Sequence, residues 1–129
     1  MADKTLSPRA GYDTSTALFA GQISGLKTEV DTKAGQALMI SAAGGYRLYD
    51  GSRPFVGLAP ESVKAGEPLT VYGLSVRFKL SEGELTPGAN YFLNATGGYA
   101  DAATAADAQG ALLAVTKYDA IVIRVGKLA

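Results

Sequence analysis

Apolar residues along this chain fall in short runs and in alternation with polar or small ones, and no helical stripe is sustained. Leu38-Met39-Ile40 is a brief continuous run, followed by the Gly44-Gly45 turn and a strand-like Tyr46-Arg47-Leu48-Tyr49. Asp50-Gly51 turns again into Phe55-Val56-Gly57-Leu58-Ala59. Leu69 and Val71, then Val76, Phe78 and Leu80, alternate with polar or small partners, as half-buried strands do. Gly73 between the two sets marks a bulge or a change of direction.

Further on, Thr86-Pro87-Gly88-Ala89 is a turn. Pro presets the first central dihedral and Gly accepts a positive φ at the second. Tyr91 to Thr96, Leu112 to Thr116 and Ala120 to Val125 complete the strands, with Gly97-Gly98 and Tyr118-Asp119 as turns. The Ala-rich stretch from Asp101 to Gln109 has helical propensity but no apolar face, and reads as an exposed loop with Asp101 and Asp107 as solvating charges. The expectation is an all-β domain, a small barrel or sandwich of about seven or eight short strands. Its expected core is Leu38, Ile40, Leu69, Val71, Val76, Phe78, Leu112, Ile121 and Ile123.

Residues 1–35 differ in texture. Ser, Thr, Gly and single charges dominate, and the apolar residues Leu18, Phe19, Ile23 and Leu26 follow neither period. This predicts an extended N-terminal arm over 1–35 and a β-domain over 36–129. The arm's four large apolar residues are candidate anchors on a partner.

Composition then narrows the chemistry. The 129 residues suit one domain. With no Cys and no His, disulfides, thiol nucleophiles, His-based triads and the commonest transition-metal ligands are excluded. Lys plus Arg and Asp plus Glu number 12 each, so the charge footprint of a nucleic-acid binder is missing. The chain lacks an uninterrupted apolar span of membrane length, and its start does not read as a secretory signal. Glu82 and Glu84 form a carboxylate pair, read as a solvated tip around Gly83. Asn94-Ala95-Thr96 matches a glycosylation sequon, read as a chance match without a secretory signal. Tyr46, Arg47, Tyr49 and Arg53 could build an aromatic–basic surface, or simply occupy a half-exposed strand. The expectation is a protein that is not an enzyme and needs no cofactor or metal.

Three segments carry a resemblance: AGEPLTVYGLSVRFKL, then LTPGANYFLNATGGY, then ALLAVTKYDAIVIRV after an Ala/Gly loop. With PFVGLAPESVKAG and TEVDTKAGQALMI before them, they resemble the small head decoration, or capsid cement, proteins of tailed bacteriophages. The likeness covers about three-quarters of the chain and lies in turn residues and strand alternation. It implies a homotrimer on the outer surface of the virion capsid, bound to the major capsid protein, stabilising contacts between its subunits. It further implies a terminal arm reaching neighbouring capsomers, with no nucleic acid or membrane as partner and assembly in the host cytoplasm. The alternative is a carbohydrate- or receptor-binding β-module of a phage tail or surface structure. Tyr46, Tyr49, Tyr91 or Tyr99 would then serve as ring-stacking platforms.

Overall fold

A computed structural model describes residues 21–79 and 84–129 of the chain. These residues are all-β, with ten strands: β1 Gln22–Lys27, β2 Ala37–Ile40, β3 Tyr46–Leu48, β4 Phe55–Leu58, β5 Pro68–Tyr72, β6 Arg77–Lys79, β7 Asn90–Leu93, β8 Tyr99–Ala100, β9 Leu112–Ala114 and β10 Asp119–Val122. They form two five-stranded antiparallel sheets, in the orders β1-β5-β4-β2-β3 and β6-β10-β9-β7-β8. The first half of the chain builds one sheet and the second half the other. The architecture is therefore sandwich-like and not a closed barrel, and it holds ten strands where about seven or eight were expected. The additional strands are β1, inside the expected arm, and the two-residue β8 that follows the Gly97-Gly98 turn.

The switch between sheets falls at Gly73, as a change of direction. A Cβ at Gly73 would lie 2.7 Å from the Val56 carbonyl oxygen, so no other residue fits this crossing unshifted. Ser75, at φ 74°, then turns the chain into β6.

Both faces of the first sheet are covered. Along β2, Ala37 and Met39 join the core between the sheets, with Tyr49, Phe55, Leu58, Leu93, Leu112, Val122 and Leu128. Leu38 belongs to a second cluster with Tyr46, Ala59, Leu69 and Val71, and Ile40 packs against it. That is why Leu38-Met39-Ile40 is a continuous apolar run instead of an alternation. Beside the second cluster the sheet curls enough to bring the chain after β1 to β3 at one isolated bridge, without closing into a barrel. Thr28, next after β1, forms a parallel bridge with Tyr46 of β3. The Tyr46 hydroxyl donates to the Ile23 carbonyl at 3.0 Å.

The curl corrects the expected boundary at Gly35. From Gln22 the chain is a sheet strand paired with β5, in register Gln22↔Tyr72, Ile23↔Val71 and Leu26↔Leu69. Thr28 and Thr32 are buried. Among the described residues, Gln22–Lys27 thus belongs to the first sheet and not to an arm separate from it. Irregular spacing hid the strand, because its register shifts between Ile23 and Leu26, a bulge that breaks the period of two.

The last strand corrects a register. Ala120 and Val122 are buried, while the expected core residues Ile121 and Ile123 are half-buried. A one-residue offset exchanges the faces of a strand.

Candidate functional site

The polar side chains that look available for chemistry are engaged in holding the fold. Asp107 is the strongest case. It is fully buried, which corrects its reading as a solvating charge, whereas Asp101 is exposed. One carboxylate oxygen accepts from the backbone N–H groups of Leu93 and Ala111, each at 3.0 Å. The other accepts from Gln109 at 3.0 Å and Gly110 at 2.8 Å. The Ala-rich stretch is indeed a loop without a helix, and Asp107 supplies the acceptors that a helix would have provided. Thr104 extends this arrangement by donating to the Leu93 carbonyl at 2.6 Å. Arg124 fastens the loop from outside by donating to the Gly110 carbonyl at 2.7 Å.

Glu29 forms a second clamp. Its carboxylate accepts from the Ser41 hydroxyl, from the Gly45 amide at 3.1 Å and from Arg47 at 3.2 Å. It thereby ties the chain after β1 to the β2–β3 turn. The Ser41 hydroxyl is the chief cause that holds this carboxyl below its ordinary value. Burial opposes the shift, and Arg47 and Gly45 reinforce it.

The aromatic–basic surface does not exist. Tyr46 and Tyr49 are 0% and 1% exposed and sit in the two cores. The Tyr49 hydroxyl donates to the Ala106 carbonyl, and its ring meets Phe55 edge-on at 5.7 Å. Burial raises the Tyr46 phenol, and burial followed by the Asp107 and Asp50 charges raises that of Tyr49. The proposed glycan platforms at Tyr91 and Tyr99 fare no better. Tyr91 is half-buried and accepts from the Thr86 amide at 2.8 Å. The Tyr99 hydroxyl donates to the Gly35 carbonyl, and burial pushes its phenol strongly upward.

Of the expected anchors, Leu18 and Phe19 lie outside the described residues. Ile23 and Leu26 are half-buried against the second cluster, so much of their apolar surface is already covered by the chain's own core. Of the carboxylate pair, Glu82 lies outside the described residues, while Glu84 accepts from the Tyr118 hydroxyl at 3.4 Å. Among the described residues no cluster of three or more acidic side chains could hold a metal, and no helix is long and apolar enough to cross a membrane.

What the surface offers is apolar area at two places. Leu74 and Val125, 44% and 42% exposed, flank the crossing between sheets. Gly21 is tied to the same place, its amide donating to the Leu74 carbonyl at 3.0 Å and its carbonyl accepting from Gly73 at 2.6 Å. Val115 and Tyr118, 41% and 55% exposed, mark the turn between β9 and β10. Isolated exposed apolar residues are ordinary, but a pair flanking one crossing suits a contact surface.

Compared with protein-family models, characterised proteins and solved structures, the chain matches none.

Sequence reasoning missed Asp107 and Glu29. For Asp107 the signal was present: small residues on both sides and Gly110 three positions on allow several amides to converge on one side chain. For Glu29 there was none, since Ser41, Gly45 and Arg47 meet it only through tertiary pairing.

Proposed function

We propose that this chain is a head decoration, or cement, protein of a tailed bacteriophage, which binds the outside of the capsid and stabilises contacts between major capsid subunits. The observation that carries this reading is the resemblance of its strand-and-turn segments to that family. AGEPLTVYGLSVRFKL spans β5, the Gly73 crossing and β6; LTPGANYFLNATGGY spans β7 and ends at Tyr99, where β8 begins; ALLAVTKYDAIVIRV spans β9 and β10. The described body is compatible with it. Asp107, Glu29, Tyr46, Tyr49 and Tyr99 are taken up by structural hydrogen bonds, and apolar surface is exposed at Leu74 and Val125.

In this reading the mechanism is cross-linking without covalent chemistry. Leu18 and Phe19 act as anchors, exposed Leu74 and Val125 add apolar contact area, and a homotrimer multiplies weak contacts into avidity. Each anchor buried on a capsid subunit contributes roughly 1.5–3 kcal/mol of transfer free energy before ordering costs. The site of action is the virion surface.

Cosedimentation of the purified protein with expanded, undecorated capsid shells tests the reading, with light scattering for oligomeric state. The expected result is saturable binding, a trimer on the shell, and weakened binding by Phe19→Ser or Val125→Ser with an unchanged melting curve. Absence from the shell fraction at saturating protein would overturn it.

A further inference from the structure

The second sheet ends at β6, whose only partner strand among the described residues is β10, in register Asp119↔Lys79, Ala120↔Phe78 and Ile121↔Arg77. An edge strand carries backbone donors and acceptors along its outer side that are free to pair with another chain. Beside β6 runs a groove of about 560 Å³, lined by Gly35, Leu58, Tyr72, Val76 and Phe78 together with Arg77 and Lys79. It lies between the edge of one sheet and the loops of the other. The ring of Phe78 packs at 5.7 Å on Tyr99, whose hydroxyl holds the Gly35 carbonyl.

Charge decides what suits this edge. Phe78 is half-buried, while Arg77 and Lys79 are exposed on either side of it. Arg77 is held by Asp119 at 2.9 Å. Lys79 has no ion pair among the described residues. A second copy pairing antiparallel through β6 would set Arg77 opposite Lys79 at both ends of a three-residue strand, and like charges directly opposite are destabilising. With Arg77 already paired to Asp119, Lys79 is the cation that makes this edge complementary to a strand bearing carboxylates, and its charge disfavours a second copy.

We propose that the β6 edge and its groove form a β-addition site for an extended segment of another polypeptide. That segment carries apolar side chains into the groove and alternating acidic side chains toward Lys79 and Arg77. Backbone pairing supplies affinity, and the groove and cations supply register and selection. The site lies on the β-body itself, and the proposal stands or falls independently of capsid attachment.

The test is a ¹⁵N chemical-shift titration of the full chain with a blocked peptide of alternating Glu and Val, and with its Lys-Val counterpart. The acidic peptide is expected to move the amide resonances of Gly35, Leu58, Val76, Phe78 and Lys79, and to bind at least about tenfold more tightly than the basic one. Lys79→Glu, an exposed change that leaves a folded spectrum, is expected to reverse that preference. Equal response to both peptides, shifts centred elsewhere, or no response overturns the proposal. So does either competing occupant. Concentration-dependent shifts at β6 without peptide would identify a second copy. Movement of the groove amides by Leu18→Ser with Phe19→Ser would identify the chain's own N-terminal residues.

Discussion

Asp107 shows how much one side chain can organise. Four backbone amides converge on its fully buried carboxylate. Removing an acceptor leaves buried donors unsatisfied, each costing about 1–3 kcal/mol. Asp107→Ala is expected to lower stability by roughly 3–5 kcal/mol in urea denaturation. Amide exchange at Leu93, Gln109, Gly110 and Ala111 should lose protection first. Asp107→Asn should also destabilise, because one acceptor oxygen becomes a donor facing other donors. Gly57 is the steric counterpart. At φ 151° its missing Cβ would lie 2.4 Å from the Tyr72 carbonyl oxygen, so β4 crosses β5 only as glycine. Gly57→Ala is expected to cost at least about 2 kcal/mol, read as a fall in melting temperature.

Among elements, β1 changes the picture most. Ile23 and Leu26 contribute to the second cluster, and Thr28 and Thr32 are buried at bridges to Tyr46 and Val63. Deleting residues 1–35 is therefore expected to unfold the first sheet, seen as loss of amide dispersion and of a cooperative melt. A retained native spectrum would show that the sheet holds together without β1. The Glu29 clamp gives the same region a pH dependence. Its carboxyl lies below the ordinary value of 4.5 in the folded chain. The ionised form therefore favours folding, a contribution present above the unfolded value and lost as pH falls through the folded one. Glu29→Gln is expected to flatten the decline of the urea midpoint between about pH 6 and pH 3. Equal pH profiles for both proteins would dissociate the clamp from acid sensitivity.

At the scale of the molecule, the two sheets share one core. Phe55 of β4 exchanges backbone hydrogen bonds with Gly126 at 2.9 and 2.8 Å, and Tyr49, Phe55 and Leu58 pack with Leu93, Leu112 and Val122. Neither sheet retains a covered inner face without the other, so unfolding is expected as one transition, with calorimetric and van't Hoff enthalpies equal. Leu112→Ala is expected to cost about 2–5 kcal/mol and to shift that single transition without splitting it.

The all-β class, most strand positions and the turns at Gly44-Gly45, Asp50-Gly51 and Pro87-Gly88 were legible in the chain itself. Alternation and turn chemistry act over a few neighbouring residues and leave their mark there. Whatever depends on a distant partner was not legible. β1 is a strand because β5 pairs with it across a bulge. Val122 faces inward, with Ile121 only half-buried, because the register against β9 and β6 sets the face. Tyr46 and Tyr49 are core residues because the first sheet is covered on both sides and curls until β3 meets the end of β1. Asp107 is buried because amides from separate loop and strand positions converge on it. Local pattern determined which residues could form strands. Long-range pairing determined which faces those strands bury, and so which side chains remain for a partner.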